Sequence, residues 1–493
     1  MEPFRVCHVT SEIAPYAKTG GLADVSAALP EYQVRAGHDA RVITPLYASM
    51  DVESAGLRTS ADVDEIAVPV GERTYACSVY ETRTTGAKVP VYFVHSPRLY
   101  DRDALYTSDP DEHVRFIVLQ RAAIEICQRL GWSPHVFHCH DWQTALLPLY
   151  LKTLYAWDAL FRNSRSVLTI HNLGYQGIFP ARAVEDAGLT PVRRHLHREE
   201  LERGRVGFLR TGILYADLLT TVSPTYAREI QTPELGLGLD RLLARRRESL
   251  VGILNGVDTA VWNPRTDRHL EYRYSARSLW RKAKNKEALL AELGLDPAGD
   301  APVIGMVTRL TYQKGIDLLV EPLPALLRER DVRLAVLASG EPDHERFLTE
   351  LQQRFPGKVS FWRGFHERLA HRIEAGADLF LMPSLYEPCG LNQMYSRMYG
   401  TVPIVRNTGG LADTVELWDP DTEEGSGIVF DHPTPDGVRW ALEAALHLFA
   451  DRTAWKKLVR NTMDCDFSWE RQIDRYVDAY DHVVRRDRVE VSA

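Results

Sequence analysis

The strongest constraint on this chain is an alternation, run through twice, of short apolar segments with amphipathic ones. In the first series, Phe4–Thr10, Ala40–Thr44, Tyr75–Tyr80, Val89–Val94, Val136–Cys139, Val167–Ile170 and Leu218–Val222 read as strands. Helical spacing appears at Gly21–Ala36, which Gly37 stops, and at Val114–Leu130 and Gln143–Leu151. A second series predicts strands at Val303–Val307, Leu334–Ala338, Val359–Trp362, Leu379–Met382 and Val402–Val405. Its helices are expected around Ile316–Leu327, His344–Arg354, Glu367–Glu374 and Leu391–Gly400. Parallel strands need long crossovers, usually helical, so this pattern predicts two doubly wound α/β lobes. Their expected bounds are 1–250 and 251–466, followed by a 467–493 tail. That tail carries a charged helix from Trp469 to about Arg486, expected to pack back on the first lobe.

Composition narrows the function classes. Apolar residues make up 45% and charged residues 26% of 493, enough for large cores that need no disulfide or metal. The net charge of −8 argues against nucleic acid as the main partner. An anionic substrate would therefore need a local positive pocket. No apolar run reaches the length of a membrane span, and the N-terminus lacks the apolar stretch of a secretory signal. The six cysteines show no CxxC pair, and isolated thiols suit a reducing cytoplasm.

One hexapeptide occurs twice: Thr19-Gly-Gly-Leu-Ala-Asp24 and Thr408-Gly-Gly-Leu-Ala-Asp413. Each follows a loop and is expected to open a helix, where paired glycines and free N–H groups suit an anion. With one copy per lobe, a cleft faced by both helix ends is expected. Lys18 precedes the first copy as a candidate point charge for phosphate. Arg309 ends a predicted strand, and Lys314 is expected at the start of the next helix. A cation there opposes the helix dipole unless an anion is bound, which favours a phosphate site. Glu387, in Glu387-Pro-Cys-Gly-Leu391, also follows a strand and is a candidate to grip sugar hydroxyls or steady a cationic transition state. In His138-Cys-His-Asp-Trp142, one histidine is expected in a polar pocket and the other in packing, with no zinc site. His171 could line the same mouth. The Arg245–Arg247 run reads as a solvated helix face.

Six ordered motifs carry a resemblance. They are Lys18-Thr-Gly-Gly-Leu-Ala-Asp-Val25, His138-Cys-His-Asp-Trp142, Val222-Ser-Pro-Thr-Tyr-Ala-Arg-Glu229, Leu254-Asn-Gly-Val-Asp258, Thr308-Arg-Leu-Thr-Tyr-Gln-Lys-Gly315 and Glu387-Pro-Cys-Gly-Leu391. Together they closely resemble the ADP-glucose-dependent glycogen/starch synthases, retaining glycosyltransferases of the GT-B fold. The resemblance implies two Rossmann-like lobes facing a deep cleft. It implies glucose transfer from ADP-glucose to the non-reducing end of an α-1,4-glucan, with no metal or other cofactor.

By the matching motifs, Lys18 would contact the donor phosphate and sugar, Arg309 and Lys314 would hold the diphosphate, and His140 would face the glucose. Glu387 would grip its hydroxyls, while Glu12, Asp24 and Asn255 would support the donor pocket. Gly21 and Gly390 would let amides approach, with Cys389, Leu391 and Thr408 completing the donor surface. Leu385-Tyr386 stands where the family usually has Arg-Phe, and Met398 where it usually has a basic residue. Rival readings on the same fold are a glucan phosphorylase, which needs pyridoxal phosphate, and a UDP-glucose transferase. A rival of another class is a glucan-binding protein without turnover.

Overall fold

The computed structural model describes residues 3–297 and 299–490 and divides into two compact units. The first comprises residues up to Val222, Ala227–Leu254 and the chain from Trp469 onward; the second comprises Ser223–Tyr226 and Asn255–Ser468. Residues 491–493 of the expected tail lie outside the described residues.

The first unit is built on a ten-stranded sheet. Its strands are β1 (Arg5–Val9), β2 (Asp39–Pro45), β3 (Arg58–Thr59), β4 (Glu65–Val70), β5 (Arg73–Arg83), β6 (Pro90–His95), β7 (Val136–His140) and β8 (Arg165–Ile170). A separate hairpin-like pair, β9 (Ile178–Pro180) and β10 (Arg205–Gly207), precedes β11 (Leu218–Thr221) and β12 (Leu250–Gly252). The order is β12-β11-β8-β7-β1-β2-β6-β5-β3, with β4 on β5. The path from β12 to β6 is parallel throughout, and β5 joins it antiparallel. Its central strands are almost wholly buried, as expected for strands covered on both faces.

The second sheet contains β13 (Val303–Leu310), β14 (Arg333–Gly340), β15 (Val359–Arg363), β16 (Leu379–Met382), β17 (Val402–Arg406) and β18 (Ile428–Phe430). All are parallel, in the order β15-β14-β13-β16-β17-β18. Counted from its first strand this is 3-2-1-4-5-6, the doubly wound dinucleotide-binding order. The parallel part of the first sheet follows the same rule about β1 and β7. The C-terminal helix Trp469–Glu490 belongs to the first unit. Its Trp469, Ile473, Tyr476 and Tyr480 share a core with Phe4, Val6, Leu29 and Val136.

Several expectations are corrected. The single helix predicted over 143–151 is a 3-10 turn, Trp142–Thr144, followed by the helix Leu147–Lys152. The one predicted over 316–327 likewise splits into Ile316–Leu319 and Pro322–Glu329. In each case a proline, Pro148 or Pro322, sits in the first turn of the later helix, where its missing N–H costs nothing. The arginine run is not wholly solvated. Arg246 turns inward and donates to the carbonyls of Ile213, Leu214 and Ala216, closing the end of the helix Phe208–Tyr215. The cysteines are free but not all isolated, since the Cys7 and Cys127 sulfurs lie 3.9 Å apart in the core.

Candidate functional site

In the second unit the strand order reverses between β13 and β16. Loops leaving these neighbours at their carboxyl ends run to opposite sides, which opens a crevice there. Arg309 lies at the end of β13 and is exposed. Lys314 is not at a helix start, as predicted, but in a 3-10 turn, Tyr312–Lys314. The ammonium therefore faces no helix dipole and is held by a direct contact. Lys314 Nζ donates to Glu387 Oε2 at 2.6 Å, and Ser384 Oγ donates to the same oxygen at 2.9 Å. Glu387, in the loop after β16, is only 5% exposed, so its charge is held by these donors rather than by water.

Glycines set this loop. The turn at Gly315 has φ +67°, and a Cβ there would lie 2.2 Å from the Pro383 carbonyl oxygen. At Gly409, φ is +46° and a Cβ would lie 1.9 Å from the Glu387 carbonyl oxygen; Gly410 N donates to that oxygen at 3.0 Å. The second hexapeptide thus presses its backbone against the Glu387 loop, and Thr408 is buried just before the short helix Gly409–Thr414. Gly390 has φ +71°, Leu391 precedes the helix Asn392–Tyr399, and burial pushes the Cys389 thiol up to about 12, with the Asn255 backbone N–H acting against that rise. The Asn255 Oδ1 is buried with no hydrogen-bond partner among the described residues. Arg406 donates to the Leu385 carbonyl, so a guanidinium does stand beside this turn.

In the first unit the reversal falls between β1 and β7. Glu12, in the loop after β1, is buried and accepts from Thr19 N–H, Thr19 Oγ1 and Tyr106 OH, each at 2.6 Å. It clasps the loop that presents Lys18. Lys18 pairs with Asp24, in the first turn of the helix Gly21–Arg35, at 2.7 Å, with both side chains partly exposed. An exposed pair of this kind is worth about 0–1 kcal/mol, so the ammonium is released cheaply to another anion.

His140, at the end of β7, is fully buried, and both ring nitrogens are engaged: Nε2 with His8 Nδ1 at 3.2 Å and Nδ1 with His171 Nε2 at 3.0 Å. The other histidine of the motif is not in plain packing either: His138 bonds Tyr480 OH at 2.7 Å and Thr169 Oγ1 at 2.6 Å. Nitrogens of His8, His138 and His140 lie close enough together for a metal. Both of His138 are already spent on hydroxyls, so the trio is built as a hydrogen-bonded group. Burial holds the imidazoles neutral, with His8 lowered to about 4 and His171 to about 3. His171, 9% exposed, stands at the rim after β8. Its backbone N–H donates to Asp141 Oδ1 at 2.7 Å. Desolvation raises the Asp141 carboxyl to about 7, and its φ of +56° is unusual for a residue other than glycine. Sequence reasoning missed His8, Gln33, Ser384 and Tyr480. The one available signal was three histidines on two strands that both precede polar loops.

Comparisons with known proteins bear on family and fold. Residues 5–245 match the starch synthase catalytic domain, and residues 294–462 match the glycosyl transferases group 1. The glycogen synthase of Koribacter versatilis (strain Ellin345) is 45% identical over 97% of this chain and 97% of its own. That of Anaeromyxobacter dehalogenans (strain 2CP-C) is 46% identical over 97% and 99%. The catalytic domain of starch synthase IV from Arabidopsis thaliana, solved bound to ADP and acarbose, superposes with a TM-score of 0.91 at 34% identity, over 98% of this chain and 100% of that one. Sucrose-phosphate synthase from Thermosynechococcus elongatus shares the fold at 18% identity and a TM-score of 0.60. With two Rossmann-ordered sheets and relatives of this kind matched over nearly its whole length, the chain belongs to the glycogen synthase family of GT-B glycosyltransferases.

Proposed function

We propose that the family's reaction is carried here by Arg309, Lys314 and Glu387 of the second unit, with Lys18 and the His140–His171 pair of the first. The reaction transfers glucose from ADP-glucose to the non-reducing end of an α-1,4-glucan with retention of configuration. Departing ADP gains negative charge as the glycosidic C1–O bond breaks. Fixed cations then stabilise the transition state more than the ground state. In this reading Arg309 and Lys314 take the diphosphate, and Glu387 takes sugar hydroxyls. Lys18 takes the donor phosphate and sugar region, supported by Glu12 and Asp24. Gly21, Asn255, Cys389, Gly390, Leu391 and Thr408 shape the donor surface. His140 acts through His171 rather than by a nitrogen of its own, because both of its nitrogens are bonded.

The observation that carries this reading is the 2.6 Å contact of Lys314 with Glu387 at the switch point. A cation and a carboxylate paired at the carboxyl ends of these strands support binding of a nucleotide sugar's phosphate and hydroxyls there. Glu387 Oε2 is already spent on Lys314 and Ser384. A retaining hydrolase would instead set two carboxylates across the bond, one of them free to attack. Front-face attack, with the leaving phosphate taking the acceptor's proton, fits this chain better. The buried free thiols suit a reducing cytoplasm.

The test is incorporation of labelled glucose from ADP-glucose into glycogen, with UDP-glucose and EDTA arms. Transfer from ADP-glucose that survives EDTA is expected. Preference for UDP-glucose, loss with EDTA, or glucan binding without turnover would each overturn part of the reading. Trapping a glucosyl–Glu387 ester would overturn front-face attack.

A further inference from the structure

From the rim histidine inward, eight neutral polar side chains of the first unit form one unbroken hydrogen-bonded chain. It runs His171, His140, His8, Gln33, Tyr480, His138, Thr169, Thr220, with successive contacts of 3.0, 3.2, 2.7, 2.9, 2.7, 2.6 and 2.6 Å. Strand register builds most of it: His8 lies opposite His138, and Thr169 lies opposite both His140 and Thr220. Gln33 comes from the helix Gly21–Arg35, and Tyr480 from the C-terminal helix.

The arrangement fixes proton positions. A neutral imidazole carries one N–H and one lone pair. Gln33 turns Oε1 to His8 and Nε2 to Tyr480, so His8 must donate from Nε2 and accept at Nδ1. His140 must then donate from Nε2 to His8 and accept at Nδ1 from His171 Nε2–H. On the other side Gln33 donates to Tyr480, Tyr480 to His138 Nδ1, and His138 Nε2–H to Thr169. All six bonds from His171 to Thr169 point the same way. His171 is left with a bare lone pair on Nδ1, which makes no hydrogen bond among the described residues.

We propose that Gln33, His8 and His140 are positioning residues whose directed chain holds His171 as a hydrogen-bond acceptor at Nδ1, for a hydroxyl of the transferred sugar. This rests on the reading that glucose is bound at this strand end. Reversing the Gln33 amide reverses every bond and turns that nitrogen into a donor, so one amide 25 residues from His8 in sequence decides what the rim offers. Burial, which depresses all four imidazoles, keeps them neutral as this logic requires.

The test uses the full-length enzyme and does not depend on activity alone. Imidazole 15N–1H correlation spectra at neutral pH should show His171, His140 and His8 protonated at Nε2. Gln33→Met, which removes the director, should mix the tautomers. It should also lower kcat about 10-fold or more, the range for loss of a group that fixes a histidine's tautomer. Gln33→Glu places a carboxylate beside His8, which otherwise faces the His140 and His138 rings; one bond further along the network stand His171 and Tyr480, with Asp141 at the rim beyond His171. His8 then gains a proton as pH falls, donates to His140, and forces His171 to present Nδ1–H. A new acidic limb should appear in the kcat profile of Gln33→Glu and be absent from the parent. Nδ1-protonated His171 in the parent would overturn the proposal. So would Gln33 variants with parental spectra, kcat and pH profile in an enzyme that transfers glucose normally. If the spectra match expectation while ADP-glucose is not used at all, the functional reading fails and the proton order stands.

Discussion

Of the two identical hexapeptides, only the second should be damaged by one added methyl group at its first glycine. At Gly409, alanine places Cβ 1.9 Å from the Glu387 carbonyl oxygen and 2.8 Å from its carbon, on a backbone with φ +46°. A left-handed non-glycine residue costs about 1–2 kcal/mol. Overpacking against backbone that cannot rotate away adds about 1–3 kcal/mol. Relief requires the Glu387 carbonyl to retreat by about 1 Å, and such a displacement near the chemistry can cost about 10²-fold in rate. At Gly20, the matching first glycine, φ is −165° and a Cβ would meet nothing within 4 Å. Gly409→Ala should therefore lose about 3 kcal/mol, or roughly 6–12 °C in Tm for a unit of this size, and about 10²-fold in kcat. Gly20→Ala should keep its Tm within about 2 °C. Scanning calorimetry with the labelled-glucose assay decides. Equal Tm losses in the two variants, or a Gly409→Ala enzyme with parental Tm and kcat, would refute the packing argument.

Other expectations concern charge. Lys314→Ala leaves a buried carboxylate with Ser384 alone and should cost about 3–5 kcal/mol, as broken buried pairs do. Adding Glu387→Gln should restore much of the urea midpoint but none of the roughly 10²-fold loss in kcat. A double variant that regains activity would remove Lys314 from the mechanism. Lys18→Ala breaks only an exposed pair, so Tm should stay within about 2 °C while kcat falls about 10²-fold; unchanged kcat would refute its role. The His8 pKa is depressed in the folded state, so its contribution is full above pH of about 6.5 and is lost as pH falls toward 4. From His8 alone, stability should drop by about 1.5 kcal/mol between pH 6.5 and 5. A urea midpoint unchanged over that range would contradict burial of neutral imidazoles.

Strands were legible because buried parallel strands are short apolar runs, and β16 was read to the residue. Helix interruptions were harder, because an apolar stripe can continue across a proline that restarts the backbone, as at Pro148 and Pro322. Candidate site residues stood out where a charge broke an apolar pattern after a strand, as Arg309 and Glu387 do. What joins Lys314 to Glu387, 73 residues apart, is the adjacency of β13 and β16, which no local window contains. The histidine chain was hidden for the same reason. Four strands and two helices supply it, and a lone His8 in a strand carries no sign that its partners are Gln33 and Tyr480.

The return of Trp469–Glu490 to the first unit also bears on how the protein is made. Synthesis proceeds from the N-terminus, so nearly the entire second unit emerges from the ribosome before the side chains that seal the first one. Until Trp469, Tyr476 and Tyr480 arrive, Phe4, Val6 and Leu29 face an unfilled seam. A nascent or C-terminally clipped chain therefore exposes a sticky apolar surface, and completion of the earliest-made half waits on the last segment translated.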